Sequence, residues 1–174
     1  MNIVDKARTF AIAAHSAVKQ VRKYTGEPYW VHPVEVSTIL REFGATDEML
    51  AASLLHDTIE DTGITYDLIF EEFGEVIATY VDWLTDKSKP SDGNRELRKK
   101  IDADRLAQAP YEVQTIKYAD LQSNTKSIVH HDLGFARTYL KEKRYLLSVM
   151  DKGNKDLYIQ VQQLLENSEK LLQS

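Results

Sequence analysis

Apolar residues recur in this chain at steps of three and four along almost its whole length, and that period decides the class of fold open to it. Val4, Ala7, Phe10, Ala11, Ala14 and Val18 mark one face of a first helix. Pro33 stands where a proline opens a helix, and "PVEVSTILREFG" closes at Gly44. "TDEMLAASLLHDTIED", capped by Thr46 or Asp47, is expected to run as one helix to Gly63. Thr65 caps "YDLIFEEFG", and Gly74 separates it from "EVIATYVDWLTD". "KSKPSDGN", with Pro90 and Gly93, is the strongest loop signal. Helices resume with "RELRKKIDADRLAQA" and "PYEVQTIKYADLQSNTKSIVHHD", and two long ones are predicted near Gly134–Met150 and Lys155–Leu172. The pattern holds no strand pair, internal repeat or low-complexity tract. It predicts an all-α fold: one compact helical bundle over residues 1–174, of roughly eight or nine helices. The motif-bearing core is expected at about 15–150 and the C-terminal helix at about 155–172.

The composition narrows the function. The 174 residues, 43% apolar and 28% charged, suit a globular domain with a real core rather than a disordered chain. A net charge of −5 gives no overall basic face for nucleic acid, although local cations or a metal can still draw a small anionic ligand. With no cysteine, disulfides, thiolate metal sites and cysteine nucleophiles are excluded. "MNIVDKARTF" lacks the layout of a signal peptide, and no apolar run approaches membrane-spanning length. A cytoplasmic protein with no membrane partner is expected.

Chemistry concentrates in "LLHDTIEDTG", where His56, Asp57, Glu60 and Asp61 follow apolar Leu54 and Leu55. Charges in such a segment are costly to bury unless something pairs with them. Neighbouring side chains on a helix diverge by about 100°, so His56 and Asp57 meet at one point only between those directions. A metal there would neutralise Asp57 and use the lone pair of neutral His56. Glu60 and Asp61, one helical turn on, are placed for proton transfer or for orienting a water. The plainer reading is a solvated polar helix face. Two other places bear on it. "YWVHPVEV" sets His32 in an apolar stretch, where a hydrogen-bonded structural histidine is the alternative. "IKYADLQSNTKSI" sets Asp120 and Asn124 four apart, amid Ile116, Ala119 and Ile128, and an acid in that setting needs a partner. Together these supply two histidines and two aspartates, a set that suits Mn²⁺, Fe²⁺ or Zn²⁺.

The ordered set His32, His56-Asp57, Asp120 resembles the signature of the HD-domain metal-dependent phosphohydrolases. "RKYTGEPYWVHPVEV", "LLHDTIEDT", "FEEFGEVIATYVDWLT" and "IKYADLQSN" are similar to motifs of the Rel/SpoT hydrolase domain and of the free-standing small alarmone hydrolases. The resemblance spans about Arg22 to Asn124, and the preceding helix with His15 fits it too. It implies an HD-domain helical bundle holding one Mn²⁺ through His32, His56, Asp57 and Asp120, with Glu60 and Asp61 as the catalytic pair acting on water. The implied reaction removes the 3′-diphosphate of ppGpp or pppGpp, giving GDP or GTP and pyrophosphate. Arg22, Lys23 and Thr25 match the loop that holds the guanosine side, and Asn124 matches a nucleotide-contacting asparagine.

The match has departures. The long enzymes have one residue fewer between the loop arginine and "GEPY", so Arg22 and Lys23 compete for one role. "ADLQSN" keeps the Asp120–Asn124 spacing but lacks the arginine and histidine usual between them. No counterpart of the synthetase and regulatory domains of the long enzymes is expected within these 174 residues. Two further readings stay open: another nucleotide substrate (a 5′-nucleotidase or an NADPH phosphatase), or a catalytically silent nucleotide-binding helical domain. Oligomeric state and the choice between ppGpp and pppGpp stay open as well. Lys141, Lys143 and Arg144 are candidate phosphate contacts, against the alternative of a solvated helix face. His15 reads as a core histidine with a satisfied hydrogen bond, and His130 and His131 as residues of a helix C-terminus, where cations meet the dipole well. Trp30 and Trp83 are expected in the core. Ser53 has no histidine placed for a triad.

Overall fold

The computed structural model describes residues 1–174 and contains ten α-helices and one short 3₁₀ turn. Nine of the helices run eight residues or more, and the tenth, α4 (Thr58–Asp61), is a single turn. No strand forms; one antiparallel bridge joins Val21 to Pro28. The all-α class is the one the periodicity predicts. The helices gather into two compact units, Met1–Thr85 and Asp86–Ser174.

The first unit holds α1 (Ile3–Ala17), α2 (Val31–Glu42), α3 (Asp47–Leu55), α4, α5 (Tyr66–Phe73) and α6 (Glu75–Leu84). Its centre is α3, against which α1, α2 and α6 all pack. Every residue from Met49 to Leu55 is buried, and all but Ser53 are apolar, as suits a helix enclosed by others. Each buried leucine contributes about 1.5–3 kcal/mol. Thr46 caps the helix by accepting from the Met49 amide.

The sequence pattern predicts that this helix continues to Gly63, but it ends at Leu55. His56 stays near helical geometry, while Asp57 sits at φ −100°, ψ 0°, in the bridge region between helix and strand. The break is stable because side chains satisfy the carbonyls that a helix end leaves open. His56 Nδ1 lies 2.6 Å from the Ser53 carbonyl, and the Thr58 hydroxyl donates to the Leu55 carbonyl at 2.7 Å. The chain re-enters a helical turn as the Asp61 amide reaches the Asp57 carbonyl at 3.0 Å. In α2 the proline is not the opening residue. The helix starts at Val31, and Pro33 takes its third position, where an amide would have no intrahelical partner anyway.

The second unit holds α7 (Arg95–Leu106), α8 (Tyr111–His131), α9 (Leu133–Val149) and α10 (Lys155–Gln173). α8 packs on α9 and α10, and α9 on α7 and α10. Buried Asp102 fastens the entry loop, accepting from the Lys87 and Ser88 amides at 2.9 and 3.0 Å. Trp30 and Trp83, expected in the core, are each half-buried instead; Trp30 is spent on the N-cap position of α2.

Candidate metal centre

Three of the four predicted ligands converge within the first unit. His32 comes from the first turn of α2, His56 from the end of α3, and Asp57 from the start of α4. One donor atom from each lies within 4.8 Å of the others, and both imidazoles are buried. His56 Nε2 is 3.0 Å from Asp57 Oδ2, and His32 Nε2 is 3.8 Å from the same oxygen.

The helix break sets the chemistry of this cluster. A carbonyl oxygen only accepts, so the contact with Ser53 puts a proton on His56 Nδ1. In a neutral His56 that leaves the lone pair on Nε2, 3.0 Å from a carboxylate oxygen. Two such electron-rich atoms repel unless a cation, a proton or a metal ion, lies between them. The Tyr29 hydroxyl donates to the same Asp57 Oδ2 at 2.7 Å, which holds the carboxylate in place, as supporting partners of metal ligands do. Two imidazole nitrogens and a carboxylate therefore fit a divalent cation, and no thiolate competes for it.

The two acids expected to act on water stand in α4, one turn beyond Asp57, and both reach solvent. The turn from Asp57 to Asp61 is helical as predicted; the one from His56 to Glu60 is interrupted by the break. Asp61 Oδ2 accepts from Gln20 Nε2 at 3.1 Å, and Gln20 Oε1 meets His15 Nδ1 at 2.8 Å. Partial burial raises the Asp61 carboxyl above its ordinary value, while the Gln20 bond acts the other way.

The structure separates the two loop cations that the sequence leaves in competition. The loop closes between Val21 and Pro28, with the Arg22 amide on the Glu27 carbonyl at 2.8 Å and Gly26 at φ +73°. The Arg22 guanidinium is largely buried, 3.5 Å from Glu35 of α2. Lys23 is exposed, its ammonium over the Tyr24 ring, and Thr25 is exposed with its hydroxyl on Glu27.

The fourth predicted ligand, Asp120, belongs to α8 of the second unit, where it is buried. Lys117 Nζ lies 2.8 Å from its Oδ2, and Asn124 Nδ2 donates to its Oδ1 at 3.2 Å. Of the three α9 cations, Lys141 pairs with Glu96 at 3.4 Å, and Arg144 grips Glu169 through two nitrogens. Lys143 differs: its ammonium lies over the Tyr139 ring, and burial together with Lys117 and Lys99 pushes its pKa down to about 8. Burial likewise drives the Tyr139 hydroxyl far up.

His15 is buried with one hydrogen bond, as expected. His130 and His131 end α8 exposed, with His131 on the Ser127 carbonyl. Ser53 donates to the Leu50 carbonyl and is buried, which gives it no role as a nucleophile. Sequence reasoning gave no role to Tyr29, Gln20 or Lys117. Tyr29 stood inside a flagged motif. Gln20 meets a partner 41 residues away, a separation that no local pattern carries.

Residues 7–134 match a family model described as HD domain. The chain belongs to the HD-domain family. Among its relatives is a guanosine-3′,5′-bis(diphosphate) 3′-pyrophosphohydrolase of Aquifex aeolicus, 40% identical over 72% of this chain and 18% of the relative. Another is a probable GTP pyrophosphokinase of Mycobacterium leprae, 38% identical over 73% of this chain and 16% of the relative. The chain thus spans less than a fifth of the length of either. The fold is shared with a structure described as a metazoan ortholog of SpoT that hydrolyses ppGpp. The TM-score is 0.85 at 23% identity, covering 96% of both chains. A Listeria monocytogenes protein also matches, with a TM-score of 0.70 at 25% identity, over 87% of this chain and all of that one. No helix is long and apolar enough to cross a membrane.

Proposed function

We propose that this protein is a Mn²⁺-dependent hydrolase that removes the 3′-diphosphate of ppGpp or pppGpp, releasing pyrophosphate and GDP or GTP. The observation that carries the reading is the convergence of His32, His56 and Asp57, with two acids one turn beyond. The names of the relatives support the substrate. Asp120 is the fourth ligand on the strength of its motif and its burial on α8.

Mn²⁺, when bound, would polarise a phosphoryl oxygen and lower the pKa of water. The chain's own residues do the rest. Tyr29 fixes the Asp57 carboxylate, and Ser53 fixes the His56 tautomer. Glu60 and Asp61 orient the attacking water and take its proton. The water oxygen bonds to the phosphorus nearest the ribose, the bond from that phosphorus to the 3′-oxygen breaks, and the 3′-oxygen leaves with a proton. Arg22 and Lys23 engage the guanosine side with Thr25, and Asn124 contacts the nucleotide. Arg22, already held by Glu35, offers a planar guanidinium for stacking, while exposed Lys23 offers a point charge for phosphate. The substrate is a small anionic nucleotide, and the place of action is the cytoplasm.

A product-resolved assay tests this. Purified protein with Mn²⁺ is given ppGpp, pppGpp, NADPH and deoxynucleoside monophosphates, and pyrophosphate and orthophosphate are measured separately. Pyrophosphate from ppGpp is the expected product. Intact ppGpp beside orthophosphate from a monophosphate or from NADPH overturns the reading.

A further inference from the structure

His15 is an expensive residue for the place it occupies. Its side chain has no exposure to solvent, and no hydrogen-bond partner meets its Nε2. A buried polar nitrogen left in that state costs free energy that a leucine or phenylalanine would not. Core packing alone therefore does not account for it. What it offers is Nδ1, 2.8 Å from Gln20 Oε1.

The direction of that bond follows from the other end of Gln20. Asp61 Oδ2 is a carboxylate oxygen and accepts, so the Gln20 atom 3.1 Å from it is the amide nitrogen. The carbonyl of Gln20 then faces His15, and Nδ1 must carry the proton. The chain of donation runs from the fully buried imidazole through the amide to one named oxygen of Asp61. Gln20 lies just past the end of α1, after Lys19 at φ +54°, so without the bond to His15 little would fix the direction of its side chain. The ring of His15 also packs 4.9 Å from that of Tyr29, whose hydroxyl holds Asp57.

We propose that His15 and Gln20 are positioning residues for the reaction, locking the Asp61 carboxylate by its Oδ2 so that Oδ1 is left to meet the water. This rests on the reading of Asp61 as an acid that works on water. Side-chain partners of this kind are worth about tenfold to a hundredfold in activity.

The test pairs substitutions that separate hydrogen bonding from packing. His15→Asn keeps an N–H near the position of Nδ1 and loses the ring. His15→Phe keeps the ring and loses the donor. Gln20→Met keeps length and removes both polar ends. Kinetics on ppGpp are read with Mn²⁺ affinity by calorimetry, and the His15 tautomer is read by ¹⁵N NMR on metal-free protein. The expected result is that Gln20→Met and His15→Phe lower kcat by about tenfold to a hundredfold, with KM and Mn²⁺ affinity kept. His15→Asn should stay within about threefold of wild type, a small remainder of the same effect. The Nδ1–H tautomer should dominate in wild type and lose its preference in Gln20→Met. If His15→Phe is active and His15→Asn is not, ring packing is the role and the proposal falls. It falls also if KM or metal affinity moves in place of kcat, or if the wild-type tautomer is Nε2–H. Should His15→Phe fail to fold, Gln20→Met, at a half-exposed position, decides alone. Asp61→Asn separates the two levels of the argument. Full turnover there overturns the reading of Asp61 itself. Collapse there beside unchanged turnover in Gln20→Met overturns only the positioning.

Discussion

Two helix junctions in this molecule place polar side chains in apolar surroundings, with opposite results. At the α9–α10 junction, residues 150–154, α8 supplies partners for the loop. Buried Gln114 donates to the carbonyls of Leu106 and Ala109 and accepts from the Lys152 amide at 2.8 Å. Thr115 accepts from the Asn154 amide, and Tyr118 donates to the Met150 carbonyl while accepting from the Gly153 amide. Donors meet acceptors, and the junction is closed. At the α3–α4 junction His56 Nδ1 and the Thr58 hydroxyl are spent on backbone carbonyls, and the metal-ligating atoms of His56 and Asp57, with that of His32 from α2, gather within 4.8 Å of one another. The first arrangement is complete without anything added. The second calls for a cation. Buried polarity therefore marks function only where its electrostatics do not balance.

The largest effects should come from the unbalanced junction. Asp57→Ala removes the anionic member and should abolish Mn²⁺ binding and turnover together, read by metal analysis beside the pyrophosphate assay. Full metal stoichiometry in this variant would break the comparison outright. Next, Glu60→Gln should leave metal bound while lowering kcat by about 10²–10⁴-fold, the usual worth of a general acid–base group. Equal metal loss in both variants would make Glu60 a ligand or a support instead.

The balanced junction should respond in stability alone. A Cβ on Gly153 would overlap the Tyr118 ring and lie 3.0 Å from the Thr115 amide nitrogen. Gly153→Ala should therefore cost about 1–3 kcal/mol by overpacking, measured by urea unfolding, with metal affinity per folded molecule kept. Tyr29→Phe is the converse. It removes one hydroxyl from Asp57 and should weaken Mn²⁺ binding by about tenfold to a hundredfold with little loss of stability. A stability loss as large as that of Gly153→Ala would place Tyr29 among the structural groups.

These contrasts also explain what the sequence could and could not reveal. The nine longer helices followed from apolar periodicity and caps, because both are local. His32, His56 and Asp57 could be singled out because their residue types suit a hard cation and their order resembles the HD-domain signature. The break at His56 was not, since "LLHDTIED" has good helical spacing, and the side chains that end the helix are those of the site itself. The α8 residues Gln114, Thr115 and Tyr118 show the other limit. Polar groups on a buried helix look alike in sequence whether a loop completes them or nothing does. Gln20 and Asp61, 41 residues apart, lay beyond local reasoning altogether.

Lys143 makes the finest test, because it is the cation in the second unit that the fold disfavours. Burial beside Lys117 and Lys99 lowers its pKa from 10.5 to about 8. Between those values the folded protein has released a proton that the unfolded chain keeps, so unfolding takes up a proton. Stability should then rise as pH increases through this window and be lost as pH falls toward 8. The raised pKa values of Tyr118 and Tyr139 act oppositely only near and above pH 10, where the unfolded chain ionises first. Urea unfolding between pH 7.5 and 9.5 isolates the lysine, and Lys143→Met should flatten the rise. A wild-type profile already flat there would return Lys143 to an ordinary solvated helix face. A rise that an anion such as pyrophosphate suppresses by stabilising the low-pH end would instead give the second unit an unbalanced group of its own, a cation waiting for phosphate as the first unit's acceptors wait for metal.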